Sequence, residues 1–167
     1  MKRARKLMTK NLSYNYYWFS REWAYKDIKP RIIVEKKIES TESVPKDYKI
    51  FCFNGTAKFW YITHDRGADT KLDFYDMEWN KIAATQRYPS SDYEVEKPEC
   101  WGEMVRYAET LSEGYPHLRV DFYVDKYGKF FIGELTLTPS SGLIPILPEK
   151  YDDEFGEYID LSVADPG

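Results

Sequence analysis

Apolar and polar positions alternate along this chain at two different periods, and the period decides which element each segment predicts. Residues 4–19 (ARKLMTKNLSYNYYWF) carry a helical pattern ending in an aromatic cluster, and REWAYKDIKP closes it at Pro30, past which a helix cannot continue. From Arg31 the segment RIIVEKKI turns β-branched and predicts a strand, with the polar ESTES run behind it as a loop. In DYKIFCFNGTAKFWYITHD, two alternating runs flank Asn54-Gly55, the residue pair that supplies the positive φ angles of a tight hairpin turn. KLDFYD predicts a shorter strand, and MEWNKIAATQRYPSSDYEVE a loop with short elements. Pro98 opens a helix through PECWGEMVRYAETLSEG, in which Met104, Val105, Ala108 and Leu111 share a face and Gly114 stands at the C-cap. LRVDFYV and KFFIGELTL form a second hairpin around Asp125-Lys126-Tyr127-Gly128, followed by the glycine-containing loop TPSSG and a short acidic helix in PEKYDDEFGEYIDL.

The second hairpin concentrates the chemistry. Leu118, Val120, Phe122 and Val124 fall on one face of its first strand, and Arg119, Asp121 and Tyr123 on the other. A connecting loop with an even number of residues sets Asp121 beside Glu134 and Thr136, so that two carboxylates, a hydroxyl and a guanidinium converge; an odd loop abolishes that convergence. Hard oxygen ligands on rigid strands suit Mg²⁺, which takes one or two carboxylates and completes its shell with water and phosphate. Arg119 is placed to stabilise charge developing on a phosphoryl or acyl oxygen. The plainer reading of the same residues is a solvent-facing sheet with a cross-strand ion pair worth less than ~1 kcal/mol.

Composition narrows the function class. A net charge of -4 leaves no global basic field for nucleic acid. No apolar run approaches the ~20 residues of a spanning helix, and the first thirty residues hold no signal-peptide core. The basic stretch MKRARKLMTK reads as a solvated helix start or as a membrane-surface anchor, which leaves peripheral membrane association open. Cys52 and Cys100 have no short pairing and read as reduced thiols, so a cytoplasmic location is expected. His64 and His117 are the only histidines, which argues against a multi-histidine zinc site. Aromatic residues reach 17%, and they serve either core packing or a stacking platform for sugars.

RVDFYV, a turn and GELTLTPSSG resemble the terminal metal-binding hairpin of ATP-grasp enzymes such as D-alanine–D-alanine ligases, which read RVDF, turn, then N-E-hydrophobic-N-T-x-P-G. The resemblance implies metal ligation by Asp121 and Glu134, with Arg119 as the catalytic arginine. Thr136 stands where the family has a ligating Asn and is a weaker, neutral oxygen donor. PRIIVEKKI looks like the strand and hinge that pair with adenine, implying Glu35, Lys37 and Ile38 near the base, and Asp47 in KDYKIFCFNG matches a ribose-binding carboxylate. Arg66 and Lys71, near DFYD, are further candidate phosphate or substrate contacts.

More narrowly, REWAYKDIKPRIIVEKKI, DYKIFCFNG, DFYDMEWNK and FIGELTLTPSSG together resemble the TupA-like ATP-grasp family, associated with teichuronopeptide and other cell-surface or capsule polysaccharide biosynthesis. The implied fold class is α+β: the C-terminal ATP-grasp subdomain over residues 31–161, a mostly antiparallel sheet with packed helices. A helical or linker segment (1–30) precedes it and a tail (162–167) follows. The implied activity is a ligase using ATP and Mg²⁺ to join a small-molecule or glycan-linked carboxylate to an amine through an acyl phosphate.

The family's glycine-rich phosphate loop and lysine-bearing strand are missing from this sequence, in which no glycine precedes Gly55. A fragment is the favoured explanation, beside a degenerate gene or a partner chain, and the chain by itself is expected to turn over little ATP. A non-catalytic polysaccharide-binding domain, stacking sugars on exposed Trp60, Trp79, Trp101 and tyrosines, is the competing reading. An interaction module with an aromatic surface is a third.

Overall fold

The computed structural model of the chain describes residues 2–41, 44–65, 67 and 69–163, and it divides into two compact units, Met1–Lys37 and Ile38–Gly167. In the first unit the helical pattern expected over residues 4–19 splits into α1 (Lys2–Leu12) and α2 (Tyr16–Ser20). Asn15 is the cause. Its side-chain oxygen accepts from the Tyr17 N–H at 2.9 Å and its amide donates to the Lys26 carbonyl at 2.6 Å, so it caps a new helix and does not extend the old one. A 3₁₀ turn, Trp23–Tyr25, follows. The strand expected over 31–38 does not form: this stretch is irregular and exposed from Arg31 to Lys37. β-branched residues make a strand only when a neighbour supplies the ladder, and none of the described residues pairs with these.

The second unit is α+β. Six strands, β1 (Lys46–Phe53), β2 (Thr56–His64), β3 (Lys71–Asp76), β4 (Lys81–Ile82), β5 (Leu118–Val124) and β6 (Phe130–Thr136), form one antiparallel sheet in the order β4-β3-β2-β1-β5-β6. The β1–β2 turn is the one the sequence implies, with Asn54 at φ 52° and Gly55 at φ 78°. Helix α3 (Trp101–Ser112) covers one face through Trp101, Met104 and Ala108. Helix α4 (Glu149–Gly156) covers the other through Phe155, which stacks on Phe59 at 3.9 Å between ring centres.

Alternation along each strand sorts the residues between these two cores. Tyr48, Ile50 and Cys52 of β1 face α3, as do Val120 and Phe122 of β5. Phe51, Phe53, Tyr61 and Phe74 lie with Phe155 on the opposite side. The tryptophans proposed as a sugar platform belong to the α3 core: Trp60 is fully buried and its ring lies 4.5 Å from Trp79 and 5.0 Å from Trp101. Burial removes Trp60 and Trp101 as stacking surfaces for glycans, while Trp79 is half-buried against the same core. Among the described residues no helix is long and apolar enough to cross a membrane.

The β5–β6 hairpin departs from the parity rule and still reaches the convergence. Its turn, Asp125–Lys129, has five residues, an odd number, and at its tip Val124 pairs with Phe130 and Phe122 with Ile132. The register then shifts by one, so that Asp121 pairs with Glu134 and Arg119 with Thr136. Gly133 is the extra residue. This bulge flips the remainder of β6, carrying Glu134 and Thr136 onto the face of Arg119 and Asp121. Only glycine fits there, since an added Cβ would stand 2.4 Å from Cε2 of the Tyr123 ring.

Candidate metal and nucleotide site

The charged face of the hairpin is buried. Asp121 is 1% exposed, Arg119 8% and Thr136 6%, while the Glu134 side chain is 59% exposed at the rim. Arg119 Nε donates to Asp121 Oδ1 at 2.7 Å and Nη2 to Oδ2 at 2.9 Å, a bidentate fork between residues two apart on one strand. The same Nη2 lies 3.4 Å from Glu134 Oε2, so one guanidinium joins both carboxylates, and the Thr136 hydroxyl donates to Glu134 Oε1 at 3.0 Å. The structure thus brings together four of the residues singled out in the sequence: Arg119, Asp121, Glu134 and Thr136. Arg119 and Asp121 are thus a buried pair, which persists only because each charge is compensated, while the cross-strand contact of Arg119 with Glu134 reaches solvent.

A fifth member, Lys49, is missing from the sequence reading. It sits on β1 directly opposite Asp121, its Nζ donates to Asp121 Oδ2, and it lies 2.9 Å from Asp47 Oδ2. Asp47, the candidate ribose carboxylate, thereby joins the same face. The signal was present: in D-x-K on an alternating strand both charges must share a side. Burial pulls the Lys49 ammonium down, but Asp121 and Asp47 outweigh it and hold its pKa above the ordinary lysine value. Arg119 follows the same pattern, with burial opposed and exceeded by Asp121.

Lys71 pairs with His64 at the start of β3 and shares the parity of Asp73 and Tyr75, which places it on the α3 face, away from Asp121. Glu35 and Lys37 stand exposed in the first unit, and Ile38, half-buried, opens the second. Arg66 lies outside the described residues.

A second polar centre occupies the α3 face. Asp73, fully buried, accepts from Ser90 Oγ at 2.6 Å and the Ser91 N–H at 2.8 Å, with Lys81 Nζ at 2.7 Å and His64 Nε2 at 3.1 Å. It ties β3 to the segment after β4, beside a cleft of about 560 Å³ lined in part by His64, Asp65, Tyr93 and Glu94. Burial alone would raise the Asp73 pKa, but hydrogen bonds from Lys81, Ser90 and Ser91 outweigh it and hold it below the usual carboxylate value. A depressed carboxylate stabilises the fold above its unfolded pKa of about 3.9, and that stability is lost as pH falls through the folded value. Asp73→Asn is expected to cost about 1–3 kcal/mol at neutral pH and to flatten the acid limb of a stability profile measured by urea denaturation. An unchanged acid limb in the variant would refute the assignment.

A family model described as TupA-like ATP-grasp matches residues 1–160. The chain belongs to the TupA-like ATP-grasp family. Among solved structures this TupA-like ATP-grasp chain is similar to the ATP-grasp ligase PsnB, determined in complex with a phosphomimetic variant of minimal precursor, Mg and ADP. The two share 10% identity at a TM-score of 0.34, and the match covers 70% of this chain and 34% of that one. The TupA-like chain therefore spans about a third of the length of that relative. Comparison with curated proteins gives no match.

Among the described residues of the TupA-like chain no group of three or more His, Cys, Asp or Glu side chains gathers as a metal site, so the oxygen donors here are a pair of carboxylates and a hydroxyl. Two carboxylates and a hydroxyl share one face, three carboxylates stand against two cations across Asp47, Lys49, Arg119, Asp121 and Glu134, and Glu134 reaches solvent.

Proposed function

We propose that this chain supplies the metal- and nucleotide-holding face of an ATP-dependent carboxylate–amine ligase. The observation that carries the reading is the Asp121–Glu134 pair, set on one face by the Gly133 bulge and bridged by Arg119. Family membership supports the choice of ATP as the nucleotide. Asp121 and Glu134, helped by Thr136, would hold Mg²⁺, which when bound supplies charge neutralisation for polyphosphate oxygens. Arg119, rigid and always charged, faces the oxygen on which negative charge develops. The resemblance of KDYKIFCFNG to a ribose-binding segment supports Asp47 as the acceptor for a ribose hydroxyl.

In the reaction so served, a carboxylate oxygen attacks the terminal phosphorus of ATP and the bond to ADP breaks. The amine then attacks the resulting acyl phosphate, phosphate leaves with the bonding pair, and the amine proton passes to solvent or base. Much of the acceleration of such a transfer comes from positioning and electrostatics, which buried, mutually fixed side chains provide. The resemblance to proteins of teichuronopeptide and cell-surface polysaccharide synthesis supports a glycan-linked carboxylate or amine as substrate.

The test is Mg²⁺-dependent ATP turnover by the whole protein that carries this chain. Asp121→Asn and Glu134→Gln are each expected to lower kcat/KM by at least about a hundredfold, in line with loss of a first metal ligand or its close support. Full activity in both variants would remove the metal role.

A further inference from the structure

The cations at this site pose a problem for the metal. Both oxygens of Asp121 are already engaged, Oδ1 by Arg119 Nε at 2.7 Å and Oδ2 by Arg119 Nη2 at 2.9 Å and by Lys49 Nζ. At 1% exposure the carboxylate cannot be approached by a hydrated ion unless one of these groups moves. The two cations differ in how they can move. Arg119 is a planar fork held bidentately on the same strand, whereas Lys49 is a point charge on a flexible four-carbon stem. Lys49 also has a second carboxylate at hand, Asp47 Oδ2 at 2.9 Å, and its side chain is 12% exposed toward the rim.

We propose that Lys49 is a positioning residue that occupies Asp121 until nucleotide phosphate arrives, so that the site accepts a divalent cation together with the nucleotide and not before it. This deepens the reading above and rests on Asp121 being a metal ligand. A bare dication entering beside an ammonium and a guanidinium is repelled by both. Phosphate oxygens arriving with it reverse the balance: they attract the Lys49 ammonium off Asp121 while it stays paired with Asp47, and Asp121 Oδ2 becomes available. Lys49 thus ties the metal carboxylate to the candidate ribose carboxylate through a single side chain.

The experiment measures Mn²⁺ binding to the whole protein by electron paramagnetic resonance, with and without ATP, for the wild type, Lys49→Met, Lys49→Arg and Asp121→Asn. Wild type is expected to bind Mn²⁺ weakly alone and more tightly with ATP. Lys49→Met, which keeps the stem and loses the charge, is expected to bind Mn²⁺ alone at least about tenfold more tightly, because the repulsion between a dication and an ammonium is lifted. Lys49→Arg should stay as weak as wild type. If Lys49→Met does not fold, judged by circular dichroism, Lys49→Gln carries the same expectation. Mn²⁺ binding that Asp121→Asn abolishes but neither uncharged variant tightens overturns the role of Lys49 and leaves the metal reading standing. Mn²⁺ binding that is absent in every protein, or indifferent to Asp121→Asn, sinks both.

Discussion

Asp121→Ala is expected to destabilise the second unit by about 3–5 kcal/mol, the cost of leaving buried charges without their counter-ion. Arg119 and Lys49 both turn to this one carboxylate, and all three are largely withdrawn from water. Removing the anion leaves a guanidinium and an ammonium side by side, partly relieved by Asp47 and Glu134. Urea denaturation of the variant against wild type measures the loss. A change below about 1 kcal/mol would mean that the cluster behaves as an exposed ion pair and that the burial described for it is wrong. The companion variant Arg119→Met with Asp121→Leu, which removes both charges of the fork, should recover part of the loss, since paired removal strands less charge than single removal.

Gly133→Ala is expected to be the most informative substitution at a residue with no functional group. Its new methyl would lie 2.4 Å from Cε2 and 2.9 Å from Cδ2 of Tyr123, an aromatic ring that cannot bend aside. Either Tyr123 is displaced or the bulge is lost, at about 1–3 kcal/mol for overpacking of this kind. Loss of the bulge would turn Glu134 and Thr136 to the opposite face, so Mg²⁺-dependent nucleotide binding should fall by more than the stability change explains. Shortening the ring in Gly133→Ala with Tyr123→Leu is the check. Binding should return if the clash is the cause, and a double variant no better than the single one would show that the ring contact is irrelevant.

What the sequence revealed of the fold followed local rules. The Asn54-Gly55 hairpin, the α3 face of Met104 and Ala108, and the division of β5 into an apolar and a charged side all come from period and turn chemistry, and all are present. What it hid depended on partners distant along the chain. RIIVEKKI has strand composition, but a ladder needs a neighbour that composition does not specify. The helix expected through residue 19 stops because the Asn15 side chain competes for its own backbone, a choice helix propensity leaves open. Alternation of the aromatics with polar residues pointed to core packing, and Trp60 and Trp101 do lie in the core with Trp79 packed against it.

The site shows the same division. Arg119 and Asp121 share a face by alternation alone, whereas Glu134 and Thr136 were singled out by the motif and reach that face only through a bulge that alternation does not foresee. The side that Lys49 shares with Asp47 was also legible, but its meeting with Asp121 was not, because that is a register between β1 and β5, strands separated by all of β2, β3, β4 and α3. Register of that kind is fixed by core packing on both faces and cannot be counted out along one hairpin.

The bulge also bears on how this hairpin can tolerate insertions and deletions. Asp121 and Glu134 are directly opposite although they lie 13 positions apart, with a five-residue turn and one looped-out glycine between them. A six-residue turn with an uninterrupted second strand would leave the same separation, and a four-residue turn with the glycine deleted would shorten it by two. Both would still deliver the acids to a common side. A change in turn length therefore leaves the acids opposite as long as Val124 stays paired with Phe130, and it is loss of the bulge with Gly133 retained that should cost the site its second carboxylate while leaving the strands themselves paired.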